Sequence, residues 1–329
     1  MRPPSTKWRE QVAADEDERF ARYAKGLVAA QRKRSAAGGE GRALHRKQVL
    51  ALDAELDVAA SLPEHASHGL FASPGRHEVL VRLSNGAMER SSDRCPDVRG
   101  FSFKVFGVRG PNALGTGETT SQDFTMINHS KFSAAKAAEF AELVLALDRG
   151  PLAVLGHLVR TYGLIGAVRH AKAAQAVITK PFSGFATESF NTVLPLCCGP
   201  YAMRARLLPP AGEPSPDART DWAADLRARL DRGPLVYRMQ LQFFVEEAIT
   251  PIEDASVDWP ETEAPWLDAA TLTIPSQSFD DEAAKAREAR AEQGIFDPWN
   301  ALAEHRPLGD VMRARKVAYY ASQQARGVA

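Results

Sequence analysis

The stretch VLALDAELDV, residues 49–58, has apolar side chains at every second position. Leu50, Leu52, Ala54 and Leu56 share one parity, and the acidic residues Asp53, Glu55 and Asp57 share the other. Successive side chains of a β-strand point to opposite faces of the sheet, so this pattern predicts a strand with one buried and one solvated face. A face left to solvent is typical of antiparallel sheets.

Further segments of strand character come after this one, separated by polar loops that are rich in turn residues. The predicted strands are residues 78–84, 101–108, 122–128, 201–208, 235–246 and 270–274. Helical periodicity is predicted for a block of about residues 134–178, for 221–230, for 280–292 and for the C-terminal segment. Many strands, with helices inserted between them and added at the C-terminus, indicate the α+β class. The expected architecture is an antiparallel β-barrel with inserted and C-terminal helices.

Residues 1–40 differ in pattern from the rest of the chain. A helical apolar stripe that includes Phe20, Tyr23 and Leu27 is followed by the glycine-rich SAAGGEG at residues 35–41. We interpret residues 1–40 as an N-terminal helical arm laid on a single domain that comprises residues 41–329.

The composition of the 329-residue chain excludes some classes of protein. Lys and Arg number 41, and Asp and Glu also number 41, so charge gives no reason to expect nucleic acid or anionic membrane as a partner. No stretch approaches 18 apolar residues and the N-terminus has no apolar leader, so we expect no membrane span. With three cysteines, a disulfide framework is not expected, and a cytoplasmic location is.

The C-terminal stretch RARKVAYYASQQARG, residues 313–327, aligns a phenol with two guanidinium groups. At 100° per residue, Arg315, Tyr319 and Arg326 lie within roughly 40° of one another on a helix. Tyrosine ionises only near pH 10 in solution, so a phenolate at neutral pH needs a neighbouring cation. A phenolate suits ferric iron, and tyrosine is a known axial ligand of haem. The alternative is a packed tyrosine beside solvated arginines.

Other residues with possible chemistry have weaker patterns. His65 and His68 have a spacing that could hold a metal, although no third ligand is near in sequence and loop histidines are the simpler interpretation. Cys197 and Cys198 are adjacent, which indicates buried, unreactive thiols.

Five segments occur in an order that resembles successive motifs of the haem catalases. They are RALH (42–45), VRLSNG (81–86), PDVRGFSFKVFG (96–107), QDFTMIN (122–128) and RKVAY (315–319). Along most of residues 40–325 the chain is more similar to the small catalase-related haem proteins, which lack the C-terminal flavodoxin-like domain of large catalases. The resemblance implies a catalase-like core that binds haem b between the barrel and the C-terminal helix.

The resemblance also implies a role for each matching residue. Tyr319 would be the axial ligand of the haem iron, and Arg315 would keep it ionised. His45 would be the acid–base group on the opposite side of the haem, oriented by Ser84. Asn128 would hydrogen-bond the peroxide.

Four further residues are expected at the cofactor. Arg42, Arg99 and Arg326 match positions that meet haem propionates in the family, and guanidinium pairs well with carboxylate. In the family, two phenylalanines usually follow the position of Asn128, and this chain has only one of them, Phe132.

The resemblance predicts an oxidoreductase acting on peroxides. A short chain should have an open haem, so we expect peroxidase activity on organic hydroperoxides with an electron donor, weaker catalase activity on hydrogen peroxide, and a role in oxidative stress. Alternatives are a hydroperoxide isomerase or dehydratase, a non-catalytic haem protein, and a haem held by the thiolate of Cys197 or Cys198. Allene oxide synthases of this branch carry threonine where Leu44 stands, which argues mildly against the isomerase. A homodimer is possible.

Overall fold

The computed structural model describes residues 2–210, 212–215 and 218–329. The strands in this part of the chain are β1 (Gln48–Val58), β2 (Gly75–Asn85), β3 (Arg99–Pro111), β4 (Glu118–Ile127), β5 (Phe190–Asn191), β6 (Leu196–Cys198), β7 (Tyr201–Leu208), β8 (Leu235–Phe243) and β9 (Trp266–Ile274). The α-helices are α1 (Glu16–Gly38), α2 (Ala137–Arg149), α3 (Pro151–Ile178), α4 (Trp222–Leu230), α5 (Glu282–Gln293) and α6 (Asp310–Ala325).

The strands form one antiparallel sheet that closes on itself. Neighbouring strands follow the order β5-β4-β3-β2-β1-β9-β8-β7-β6, and β5 also pairs with β7. The pairing of β5 with both β4 and β7 closes a barrel of eight strands, and β6 is added at the edge of β7. The predicted α+β class and the antiparallel barrel with inserted and C-terminal helices are therefore confirmed.

The opening strand shows why the barrel forms. In β1, Leu50, Leu52 and Leu56 are fully buried, whereas Asp53 and Glu55 are exposed. The same alternation in β3 and β4 brings aromatic rings together inside the barrel. The largest fully buried side chains there include Phe101, Phe103, Phe124, Phe190 and Tyr237. Closure leaves the barrel strands without a long free edge, which sheets otherwise must protect.

Three differences from the predicted elements have local causes. The helical block is divided at Gly150, whose φ of 106° ends α2 before Pro151 begins α3. Strand β9 begins at Trp266, before the predicted start at residue 270. The prediction began too late because Asp268 interrupts the apolar pattern. The Asp268 carboxylate accepts a hydrogen bond from Gln240 on β8 at 2.7 Å. Strands β5 and β6 were not predicted because they are too short to show a period.

The N-terminal arm is joined closely to the domain. Helix α1 packs against α6, and its Phe20 and Tyr23 are part of the main hydrophobic core. Before α1, the backbone N–H of Ser5 donates to the carbonyl of Phe244 at 2.9 Å. The boundary at residue 40 stays a prediction.

Helix α3 bears on the expectation of no membrane span, which stays a prediction. By length and composition it could cross a membrane, with a mean hydropathy of 1.3 over its most apolar window. Alanine and glycine residues separate its larger apolar side chains, so the high mean hydropathy is not evident from the sequence. Only 17% of that window is buried within the protein. The cytoplasmic location stays a prediction.

One arginine joins the arm to the C-terminal helix. Arg313 of α6 contacts the carboxylates of Glu16 at 2.8 Å, Glu10 at 2.7 Å and Glu253 at 3.0 Å. Burial is the largest single effect on the pKa of Glu16 and Glu253, and it raises the pKa. The hydrogen bonds and charge of Arg313, together with backbone N–H donors, outweigh it and lower the pKa of both carboxyls. Their ionisation therefore stabilises the fold above about pH 4.5, and this contribution is lost as the pH falls further.

Replacing Arg313 with methionine should lower the free energy of unfolding by about 3 kcal/mol at pH 7, because it leaves the buried Glu16 carboxylate without its ion-pair partner. It also removes one of the two cations at Glu10 and at Glu253, which keep Arg306 and Lys136. Urea titration of both proteins at pH 7 and pH 4 measures this. The difference should shrink at pH 4, where the carboxylates of the variant take up protons. Arg76→Met is the control, since Arg76 lies in an exposed ion pair with Asp57 and its loss should have little effect. Equal losses in the two variants would contradict this account.

Candidate functional site

A large cavity lies between the outer surface of the barrel and the helices. Its empty volume is about 1430 Å³, which includes space open to solvent. The polar or ionisable side chains that line it are Tyr23, Arg42, His45, Arg82, Ser102, Thr125, Thr192, Arg315, Tyr319, Ser322, Gln323 and Arg326. Most of the remaining lining is apolar and includes Phe132, Phe140, Phe296 and Val311.

Helix α6 supplies one wall of the cavity and a paired phenol and guanidinium. One turn apart, Arg315 and Tyr319 are in contact: Arg315 Nη2 donates a hydrogen bond to Tyr319 Oη at 2.5 Å. The same nitrogen lies 2.9 Å from Thr125 Oγ1 on β4, and the guanidinium carbon is 4.8 Å from the centre of the Tyr319 ring. The barrel thus fixes the arginine, and the arginine fixes the phenol oxygen.

His45 lies on the barrel side of the cavity, just before β1. Its Nδ1 is 3.0 Å from Ser84 Oγ, which leaves Nε2 for a molecule in the cavity. The φ angle of His45 is +50°, uncommon for a residue other than glycine, and such strain is often found at functional sites. The backbone N–H of His45 donates to the carbonyl of Gly86 at 3.0 Å, which holds the unusual conformation.

The space for the His45 ring is provided by a glycine. Residues Ser84, Gly100 and Ile127 lie side by side across β2, β3 and β4. A Cβ atom on Gly100 would lie 2.5 Å from His45 Nδ1 and 2.6 Å from Ser84 Oγ. Glycine is therefore needed for the histidine–serine contact.

The surroundings of His45 favour the neutral imidazole. Burial, followed by the positive charges of Arg82, Arg315 and Arg42, lowers its pKa to about 3. A neutral imidazole has one nitrogen able to accept a proton, and Ser84 holds the other. At neutral pH His45 can thus act as a base.

Three arginines meet at the end of helix α5. Arg42 Nη1 and Arg326 Nη2 each donate to the carbonyl of Glu292 at 2.9 Å, and Arg82 Nη2 lies 3.0 Å from its carboxylate. Burial lowers the pKa of all three guanidinium groups, and repulsion from the neighbouring arginines lowers it further for Arg42 and Arg82. Carbonyls at the end of a helix lack partners within it and carry partial negative charge, so they hold these cations in place.

Two residues predicted at the site do not line the cavity. The guanidinium of Arg99 faces the opposite side, where it donates to Asn85 Oδ1 and to the carbonyl of Cys95 at 2.8 Å. Asn128 is buried, and its Oδ1 accepts from the backbone N–H of Arg99 at 2.8 Å. The Asn128 Nδ2 has no hydrogen-bond partner. A buried amide donor without a partner is uncommon and remains available to a bound molecule.

The structure brings the other predicted residues together. His45, with Ser84 behind it, and Arg315, Tyr319 and Arg326 surround the cavity. Arg42 and Phe132 line it as well, and the ring of Phe132 lies 4.8 Å from that of Phe140 on α2.

The sequence alone did not identify Arg82 and Glu292. Arg82 precedes Ser84 by two residues on β2, so the two side chains share a face of the strand. That spacing was a readable signal for Arg82. Glu292 had none, because its position depends on how α5 packs on the barrel.

The alternative metal and thiolate ligands do not meet at a site. In the described part of the chain, no three His, Cys, Asp or Glu residues are grouped so that they could hold a metal ion. The ring of His65 packs against Phe243 with their centroids 4.7 Å apart. Cys197 and Cys198 are buried outside the cavity lining, and burial raises the pKa of Cys197 to about 11.

The chemistry of the cavity selects a class of ligand. Four arginines line it and, among the residues that the structure describes, no Asp or Glu does. Apolar walls with cations grouped at one end fit a largely apolar molecule that carries carboxylates on one edge. The phenol held by Arg315 adds a hard oxygen ligand for ferric iron. The residues present therefore fit haem, with its two propionates.

Comparisons with known proteins identify the fold. Neither a family model nor a curated protein matches the sequence. Among solved structures, a fungal catalase (15% identity) and catalase A from Saccharomyces cerevisiae (14% identity) each match with a TM-score of 0.67, over 92% and 91% of this chain. A bacterial catalase matches over 99% of this chain, with 15% identity and a TM-score of 0.63. The chain has the catalase fold and covers 63–64% of the length of these three proteins.

Replacing Gly100 with alanine should displace the His45 ring from Ser84, because the new methyl group would overlap both side chains. Overpacking of this kind should lower the free energy of unfolding by about 1–3 kcal/mol. Urea titration and a crystal structure of the variant measure the two effects. Gly38→Ala is the control, since no atom lies within 4 Å of a Cβ at that position. An undisturbed His45–Ser84 contact in Gly100→Ala would contradict this account.

Proposed function

We propose that this protein is a haem-dependent enzyme that reduces peroxides, acting as a peroxidase on organic hydroperoxides and more weakly as a catalase. The observation that carries the proposal is the contact of Arg315 with Tyr319 on one side of an apolar cavity and a neutral, oriented His45 lining the same cavity. The catalase fold supports the same conclusion, and its match to catalases is the reason for choosing peroxides as substrates.

The proposed haem site follows from the positions of the charged groups. Tyr319 Oη would bind the iron, and the hydrogen bond from Arg315 Nη2 at 2.5 Å holds that oxygen in place. Arg42, Arg82 and Arg326 would bind the propionates. They would use those guanidinium N–H groups that do not already donate to Glu292 and its neighbours at the end of α5. We thus assign to Arg82, which lines the cavity, the role that the sequence resemblance implied for Arg99, which does not.

Haem iron, when bound, supplies the electrons that break the O–O bond. The part of the protein in this reaction is to move protons. His45 Nε2 would accept the proton of the hydroperoxide and return it to the oxygen that leaves, so that the products are an alcohol and water once a reductant restores the iron. Ser84 would hold the ring at the angle this transfer needs.

The walls of the cavity favour organic peroxides. Phe132, Phe140 and Leu44, the last adjacent in sequence to His45, contribute apolar surface to the cavity. Apolar walls stabilise the hydrocarbon part of an organic hydroperoxide, and hydrogen peroxide has no such part. Isomerisation of a lipid hydroperoxide, which needs no electron donor, is the second candidate, because the same walls would accept that substrate.

Replacing Tyr319 with phenylalanine should weaken the binding of haemin at least about tenfold, because the iron loses its protein ligand. Absorption titration of the purified protein with haemin measures the affinity and the type of iron ligation. Tyr320→Phe is the matched control, because Tyr320 is adjacent in sequence, 57% exposed and absent from the cavity lining. If Tyr319→Phe kept both the affinity and a high-spin ferric spectrum, the assignment of Tyr319 would be wrong.

Replacing His45 with alanine should lower the rate of peroxide reduction by a factor of about 10²–10⁴ without preventing haem binding, because proton transfer is lost. Turnover of cumene hydroperoxide and of hydrogen peroxide by the haem-loaded protein tests this. His77→Ala, outside the cavity lining, is the control. Absence of turnover of both peroxides by the wild-type protein would refute the proposal. Formation of an allene epoxide from a fatty-acid hydroperoxide without reductant would favour the isomerase.

A further inference from the structure

Helix α3 exposes more large apolar side chains than any other helix in the described part of the chain. Its strongly exposed members are Leu152 (86%), Leu155 (57%), Leu164 (75%), Ile165 (90%) and Val168 (58%). Large apolar side chains exposed together on one helix are uncommon on proteins that stay monomeric in water, and apolar surface commonly marks an interaction site.

The charged residues of α3 are all positive. Arg160, Arg169 and Lys172 are exposed, and no Asp or Glu occurs in residues 151–178. The chain as a whole has as many acidic as basic residues, so a helix of this length without acidic residues is a local concentration of positive charge. Helix α2, which packs against α3, does carry acidic residues, and Glu142 lies 3.9 Å from His157, so the positive charge belongs to α3 itself.

The backbone of α3 is broken near its centre. Gly163 has φ of 68° and ψ of 175°, which are not helical, and the helical segments on either side are residues 151–162 and 164–178. Each is shorter than the roughly 20 residues that cross a bilayer as a helix. The cations also lie along the middle of α3, where a spanning helix would place them in hydrocarbon.

We propose that α3 is a membrane-binding surface, which lies flat on a bilayer that contains anionic lipids. Its apolar side chains enter the boundary between headgroups and acyl chains, and Arg160, Arg169 and Lys172 contact lipid phosphates. Helices that bind a membrane surface combine these two features. The break at Gly163 lets both segments follow the plane of the membrane.

A second copy of the chain fits this surface less well. A symmetric dimer would place the same patch on both partners, so three cations would face three cations with no acidic residue of α3 between them. The cores of protein interfaces are also depleted of lysine. Charge complementarity therefore favours anionic lipid.

The position of α3 relates this surface to the cavity. Helix α3 packs against α2, and Phe140 and Ala141 of α2 line the cavity. Just beyond α3, Lys180 Nζ lies 2.5 Å from the carbonyl of Asn128. A bilayer bound by α3 would therefore lie one helix away from the cavity. If the proposed peroxide chemistry is correct, this arrangement would favour lipid hydroperoxides as substrates, but membrane binding itself does not depend on that chemistry.

The test is flotation of the full-length protein with vesicles of phosphatidylcholine and phosphatidylglycerol in a 7:3 ratio (roughly the anionic content that gives a marked surface potential). The protein should float with these vesicles and not with phosphatidylcholine alone. The variant Arg160→Gln/Arg169→Gln/Lys172→Gln should bind about a hundredfold more weakly, because each basic residue near the surface contributes about fivefold. The variant Ile165→Glu/Val168→Glu should also lose binding. Circular dichroism shows whether each variant is folded.

Two controls separate a specific surface from a general effect of charge or polarity. Arg94→Gln/Arg232→Gln/Arg238→Gln removes three exposed cations outside α3, and Val236→Glu changes an exposed apolar residue of β8. Both should bind like the wild type. The proposal is overturned if the wild type does not float, or if the control variants lose binding equally. It is also overturned if light scattering shows that Ile165→Glu/Val168→Glu dissociates a dimer of a protein that does not bind vesicles.

Discussion

The candidate site depends on the contact between Arg315 and Tyr319. A hydrogen bond of 2.5 Å from the guanidinium fixes the phenol oxygen in a cavity lined by apolar and positively charged groups. Thr125 of β4 holds Arg315 from the barrel side at 2.9 Å. On the same helix, Arg313 is directed to the carboxylates of the arm. The two arginines are two residues apart, about 200° around the helix, so α6 is fixed on opposite sides.

The barrel provides the second half of the site through its register. Ser84, Gly100 and Ile127 are side by side only because β2, β3 and β4 pair without a shift at this end. A slip by one residue would turn each side chain to the other face and remove the space for His45. The histidine on the barrel and the phenol on α6 are thus placed by separate elements, and packing of α6 on the barrel sets the space between them.

The sequence was sufficient for the fold class, because alternating side chains in β1 are a direct consequence of strand geometry. Five ordered segments also contained most of the residues that the structure brings to the candidate cavity. Arg99 shows where this reasoning stopped. Gly100 turns its open side to His45, so Arg99, its neighbour in the strand, must point to the opposite face. The order of the motifs does not show which face of a strand a side chain occupies. Spacing along the strand does, because residues two apart lie on the same face, and Arg82 lies two residues before Ser84. The contact of three arginines with α5 depends on tertiary packing and could not be predicted.

The charges of the cavity connect ligand binding to stability. Arg42, Arg82 and Arg326 lie close together. Burial and repulsion between the arginines lower the pKa values of Arg42 and Arg82. Glu292 is the acidic residue that contacts Arg42 and Arg82. Folding must therefore work against the cost of bringing these cations together. A ligand with two carboxylates would neutralise them, and any ligand that binds the folded state alone stabilises it in proportion to the logarithm of its concentration. The same cluster that would give the site its affinity for an anionic cofactor would thus also make the stability of the fold depend on that cofactor.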